Sequence, residues 1–173
     1  MDIIEIIKSD HDAVFELFDK LEPIAADDAR TNETMRVVVQ LAVTLKTHAK
    51  AEEKVLYEVM RTATLELGEL ALEGPYEHQA LDLMLDKLLL HRPGRDFRAI
   101  LRVTREMFTH HARHVEEARV LPAVARILTA EERSQLGRDM FVTKRRTQPH
   151  VERLVGPPAR GVREPLHIHG FRR

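Results

Sequence analysis

The chain contains no cysteine, which removes disulfides, thiolate catalysis and sulfur-ligated metal sites from consideration. It lacks an excess of either charge: the formal net charge is -1 with histidines neutral. The basic residues are interleaved with acids through most of the chain, so the clustered footprint of a nucleic-acid binder is missing. Helix-turn-helix and phosphate-binding motifs are absent as well. Long apolar runs are also lacking. Asp2, Glu5 and Lys8 interrupt the short apolar patch at the N-terminus, which is too polar for a signal peptide and too short for a membrane span. A cytoplasmic location is the default expectation. What remains is 173 residues, 32% charged and 43% hydrophobic, the size and balance of one globular domain.

Strand-like alternation is scarce, and helical spacing dominates. From Ile3 to about Leu21, Ile4, Ile7, Val14, Phe15, Phe18 and Leu21 recur on one side, and His11 lies on that side. Pro23 and the polar residues after it mark a loop. A second helix is expected from about Asn32 to Thr62, with an inward stripe of Val38, Leu41, Leu45, His48, Glu52, Val55 and Val59. At 1.5 Å per residue it would be roughly 45 Å long. A connector leads to Gly74 and Pro75, where Pro75 suits the first turn of a third helix carrying His78, Leu81, Leu85 and Leu88. A fourth begins near Asp96 and reaches about Leu121. Thr129 and Glu132 form a capping-box pattern for a short terminal helix to about Lys144. The fold expected is all-α: an up-down-up-down four-helix bundle over residues 1–145, with a short additional C-terminal helix. Residues 146–173 are rich in proline, glycine and arginine and are expected to form an extended or partly disordered tail. That tail is the surface best suited to an acidic protein partner, although a solvated end explains its charge more simply.

Each of the four helices carries a histidine on its inward side, and the second adds Glu52 one turn after His48 in the stretch HAKAEE. One histidine on an apolar face is ordinary, because a hydrogen-bonded core imidazole is common. An unpaired buried carboxylate loses solvation worth several kcal/mol or becomes protonated. Imidazoles and carboxylates converging from four helices change the balance, since a metal ion supplies the missing positive charge. Nitrogen and oxygen donors without sulfur suit iron, manganese or zinc, and this many ligands suit two ions close together.

These residues resemble the hemerythrin-like HHE cation-binding family, whose pattern is a lone histidine, then H-x-x-x-E, then the same order again. His11 fits the first lone position, His48 through Glu52 the first motif, and His78, within Pro75-Tyr76-Glu77-His78, the second lone position. The flanking residues Glu53 to Tyr57 and Glu116 to Pro122 also look like the family's exits from its ligand motifs. The resemblance covers about residues 3–125. The fourth helix departs from the pattern, because no glutamate stands four residues after His110, His111 or His114. With His110 set at zero on an ideal helix, His114 falls at about 40°, Glu117 at about 340° and Leu121 at about 20°. His111 falls at about 100° and Glu116 at about 240°. This phase favours His110, His114 and Glu117. The alternative joins His111 to Glu116 at i+5, a spacing that oxygen-carrying relatives use with a carboxylate.

The resemblance implies a non-haem centre of two iron ions, oxo- or hydroxo-bridged, held by His11, His48, Glu52, His78, His110, His114 and Glu117. It implies reaction with dioxygen, hydrogen peroxide or nitric oxide. Oxidative or nitrosative stress handling, including catalase-like peroxide decomposition, is favoured over reversible oxygen carriage, because the long tail and the altered fourth helix depart from compact carriers. An iron- or oxygen-responsive interaction module is a further alternative. Ferritin-like storage is disfavoured by the lack of paired E-x-x-H motifs. Imidazole N–H groups need acceptors, and Asp10, Asp12, Glu53 and Glu77 are available. Tyr76 lies closer to the histidine stripe than Tyr57 does. It is therefore the expected tyrosine near the centre, as a hydrogen-bond donor or a radical trap, although a core or interface role is the commoner one.

Overall fold

The computed structural model describes residues 1–27 and 31–156, and among the described residues there is no strand. Helix α1 spans Ile3–Ile24 and starts where the Asp2 carboxylate accepts the Ile4 amide at 2.9 Å. Helix α2 spans Thr31–Ala63 and α3 spans Leu65–Leu90, the latter capped by the Thr64 hydroxyl on the Leu67 amide. Helix α4 spans Arg95–Thr109 and continues without a break into a π-helical segment, His110–Val120, and then α5, Leu121–Ile127. Helix α6 spans Ala130–Val155 and begins with the expected capping box of Thr129 and Glu132. No helix among the described residues is long and apolar enough to cross a membrane.

The bundle expected from the sequence is present, with three differences at its edges. Helix α1 runs through Pro23 to Ile24 instead of giving way to a loop there. Helix α3 starts ten residues before Pro75, which therefore lies inside the helix. Leu67, Leu70 and Ala71 explain this, because they are buried and give the supposed connector an inward face of its own. The terminal helix does not stop near Lys144 but runs to Val155, through Pro149. Its inner face explains the extension: Gly137, Met140 and Val151 are buried. Gly137 is pressed against the N-terminus, where an added Cβ would lie 2.2 Å from the Met1 carbonyl oxygen. Arg133 pairs with Asp2, and Lys144 with Asp10, so α6 runs alongside α1 in the same direction. The rest of the expected tail, residues 157–173, lies outside the described residues.

Two apolar clusters fill the bundle. One gathers Val14, Phe18, Leu41, Leu45, Leu81, Leu85, Phe97 and Phe108. The other gathers Ile3, Ile7, Val55, Leu56, Met60, Leu70, Val120, Leu121 and Met140. Along each chain segment the switch from one cluster to the other falls at the polar residues: at His11 in α1, at His48 and just before Glu52 in α2, at His78 in α3, and between His111 and Glu116 in the π segment. All six are buried. The polar groups thus form one layer sealed above and below by hydrocarbon.

Candidate metal centre

The layer is ordered by how each imidazole is turned. The four Nδ1 atoms face outward, and each meets a carboxylate. His11 Nδ1 lies 2.8 Å from Glu117, His48 Nδ1 3.0 Å from Asp10, His78 Nδ1 2.8 Å from Glu53 and His111 Nδ1 2.8 Å from Glu77. An Nδ1–H donated to a carboxylate fixes the tautomer and leaves the Nε2 lone pair free. All four Nε2 atoms point into the layer. His78 Nε2 and His111 Nε2 are 3.2 Å apart, so in this tautomer two lone pairs face each other and require a positive charge between them. Glu52 Oε2 lies between His48 Nε2 at 3.5 Å and His78 Nε2 at 3.6 Å. Glu116 Oε2 lies between His11 Nε2 at 3.0 Å and His111 Nε2 at 3.5 Å. His11 Nε2, His48 Nε2, both Glu52 oxygens and Glu116 Oε2 are buried without a hydrogen-bond partner. Native proteins rarely leave such groups unsatisfied, and a cation satisfies all of them together. Two groups of donors fit an ion: His11, His48, His111 and Glu116, and Glu52, His78 and His111, with the ligand atoms of each group within 4.8 Å of one another.

The family model for the hemerythrin HHE cation-binding domain matches residues 2–124. The chain belongs to this family. The comparison with curated proteins and the comparison with solved structures gave no match. The matched segment of the HHE domain ends within α5, so α6 lies beyond it. The family and the buried His/Glu groups together make this a protein able to bind a metal cofactor.

The field in the HHE layer favours positive charge. Burial disfavours the charged form of the His48 ring, but the Glu52 charge and the Asp10 hydrogen bond outweigh it and push His48 up to about 10. Burial is likewise overcome at His78, where hydrogen bonds to Glu52 and Glu53 push the ring up to about 9. Glu52 is held well below the usual carboxylate range, because the His48 and His78 rings outweigh its desolvation. A field that favours imidazolium also attracts a metal cation, which competes with those protons.

The structure brings His11, His48, Glu52 and His78 together as the sequence leads one to expect. It does not bring in His110, His114 or Glu117. The His110 side chain is 66% exposed and His114 is exposed. Glu117 stands behind His11, gripped by Arg113 through two contacts of 2.6 Å. His111 and Glu116 occupy the layer instead, and the backbone is the cause. On an α-helix residues five apart are about 140° out of phase. Here the ladder widens: the Leu121 amide bonds the Glu116 carbonyl, five residues back. Thr109 Oγ1 donates to the Arg105 carbonyl at 2.8 Å, a contact that loosens the α ladder just before the wider turns. Inside the segment the buried residues are His111, Ala112, Val115, Glu116 and Val120, a spacing between four and five. The H-x-x-x-x-E spacing itself was the available signal.

The tyrosine expectation also reverses. Tyr76 is 72% exposed, whereas Tyr57 is 2% exposed and donates to Glu116 Oε1 at 2.8 Å. Its ring stacks on His78 with the planes 11° apart. Gly74 makes room for it: a Cβ there would lie 2.4 Å from the Tyr57 ring. Burial, with the Glu116 and Glu52 charges nearby, raises the phenol well above its ordinary value, so it stays a donor. Of the four acids available to the imidazoles, Asp10, Glu53 and Glu77 take that role, while Asp12 pairs with Arg113.

Proposed function

We propose that this HHE domain holds two iron ions and that the loaded protein decomposes hydrogen peroxide as part of oxidative or nitrosative stress handling, with dioxygen and nitric oxide as related reactants. The observation that carries the reading is the placement of the two inner carboxylates. Glu52 Oε2 stands between imidazoles belonging to different donor groups, and Glu116 Oε2 between His11 and the shared His111. Carboxylates so placed could serve both donor groups, which supports a pair of ions over one. Four nitrogens and two carboxylates without sulfur suit iron. When bound, such a pair supplies electrons singly or in twos to a small oxidant.

The chain's own residues hold and shield that centre. Asp10, Glu53, Glu77 and Glu117 keep the four Nε2 atoms aimed inward. Phe108 packs its ring 5.8 Å from His11 and 6.4 Å from His111 and closes one side against water. Tyr57 holds Glu116 from the other side and offers a phenolic proton next to it.

The test is iron reconstitution of the full chain, with metal stoichiometry, the optical spectrum and peroxide consumption measured on one sample. Two irons per chain, a bridged di-iron spectrum that His48→Ala erases, and peroxide consumed over many cycles are expected. Uptake and release of oxygen without turnover would replace the peroxide reading with carriage. Absence of bound iron would end both.

A further inference from the structure

Helix α6 lies beyond the residues matched by the family, yet one of its side chains reaches the back of the metal centre. Lys144 Nζ forms an ion pair with Asp10 Oδ1, and Asp10 Oδ2 meets His48 Nδ1 at 3.0 Å. The pair is partly sheltered, with 28% of the Lys144 side chain and 15% of the Asp10 side chain exposed. Asp10 therefore spends one oxygen on the helix outside the domain and the other on a ring inside it.

The four imidazole–carboxylate pairs are alike in geometry and differ in what stands behind the carboxylate. Glu117, behind His11, is clasped by Arg113, and Asp10, behind His48, by Lys144. Glu53 and Glu77, behind His78 and His111, have no lysine or arginine partner among the described residues. A carboxylate that accepts an imidazole N–H raises the ring's electron donation to a bound cation. A cation on the carboxylate's second oxygen draws off part of that negative charge. Arg113 and Lys144 thus draw charge from the carboxylates behind His11 and His48, which share a donor group with His111, whereas Glu77 has only the exposed His110 ring at 3.8 Å.

We propose that Lys144 is a positioning residue of the metal centre, acting through Asp10 on His48, so that α6 helps set the redox potential of the ion on the His11/His48 side. The proposal rests on the di-iron reading above. A weaker imidazole donor would stabilise an oxidised ion less, so the lysine would raise the potential of an ion held on that side.

The experiment measures the midpoint potential of the iron-loaded full chain in wild type, Lys144→Met, Lys144→Gln and Lys144→Arg, with helicity recorded for each. Met and Gln lower the potential, and Arg restores it. Gln keeps a hydrogen-bond donor without the charge, so it separates charge from packing if Met loosens α6. In an Asp10→Asn background the Lys144→Gln shift disappears, because the path runs through that carboxylate. A folded Lys144→Gln protein with the wild-type potential overturns the proposal, as does an undiminished shift in the Asp10→Asn background. A wild-type chain that takes up no iron fails earlier and sinks the di-iron reading instead.

Discussion

Helix α2 and the π segment each deliver one imidazole and one carboxylate to the same buried layer, and they do it with different backbones. In α2 His48 and Glu52 are four residues apart on an ordinary helix, with their contact atoms 3.5 Å apart. In the π segment His111 and Glu116 are five apart, and their contact atoms are also 3.5 Å apart. The extra residue is absorbed by a wider turn, so the side-chain geometry is conserved while the sequence spacing is not. Ligand spacing in a sequence therefore has meaning only together with the hydrogen-bond ladder that carries it.

The comparison breaks most severely if α2 is given the spacing of the π segment. One alanine inserted between Ala49 and Lys50 rotates everything beyond it by about 100° and carries Glu52 out of the layer. Metal uptake should be lost, read by metal analysis after reconstitution. The same change also turns Val55, Leu56 and Met60 away from their cluster, so the thermal midpoint should fall sharply.

Single carboxylates give the next largest effect. Glu116→Ala removes an inner donor and should lower the amount of metal bound per chain. Glu117→Ala removes only the acceptor behind His11 and should weaken metal affinity by about 10–100-fold. His110→Ala and His114→Ala, on the exposed side of the same segment, should leave the stoichiometry at its wild-type value. Equal losses for Glu116→Ala and Glu117→Ala would show that the π segment does not separate their roles.

Gly74→Ala tests the support beneath Glu116. The added methyl cannot coexist with the Tyr57 ring, so the ring should move and release Glu116. A cost of about 1–3 kcal/mol is expected, as for other overpacked sites, measured by denaturant unfolding. An unchanged tyrosine fluorescence with unchanged stability would contradict this packing.

The smallest effect lies at the start of α1. Asp2 is partly desolvated, but the hydrogen bonds from Arg133 and the Ile4 amide outweigh that and hold its carboxyl below its ordinary value. A depressed folded pKa means stability that is present above the unfolded value and is lost as pH falls through the folded one. Asp2→Ala should cost about 1 kcal/mol at neutral pH, as the loss of a helix cap does. The difference from wild type should shrink as pH falls below about 4, where the unfolded carboxyl takes up a proton before the folded one does. A difference independent of pH would mean that the carboxylate charge is not what ties α6 to α1.

Much of this was legible in the chain. The inward positions of His11, His48, Glu52 and His78 follow from apolar neighbours three, four and seven residues away, because helix periodicity alone sets them. The fourth helix departs from its expected phase because a steady 100° advance does not hold through residues where the ladder widens. On that steady phase His110 and His114 share the side of Leu121, whereas the wider turns put them outside and keep Leu121 within. The place of Tyr57 is not legible for another reason: its burial depends on a gap that Gly74 leaves on a different helix.

The amino-acid order by itself determined an all-helical bundle with imidazoles and carboxylates at mid-depth, since local periodicity and the cost of burying charge are both readable along one chain. Only the tertiary structure decided which histidine and glutamate the fourth helix contributes, which acid backs each ring, and that α6 reaches Asp10. Those outcomes depend on the hydrogen-bond register, which the local spacing leaves open between two choices, and on contacts between segments far apart in the chain, which no single stretch encodes.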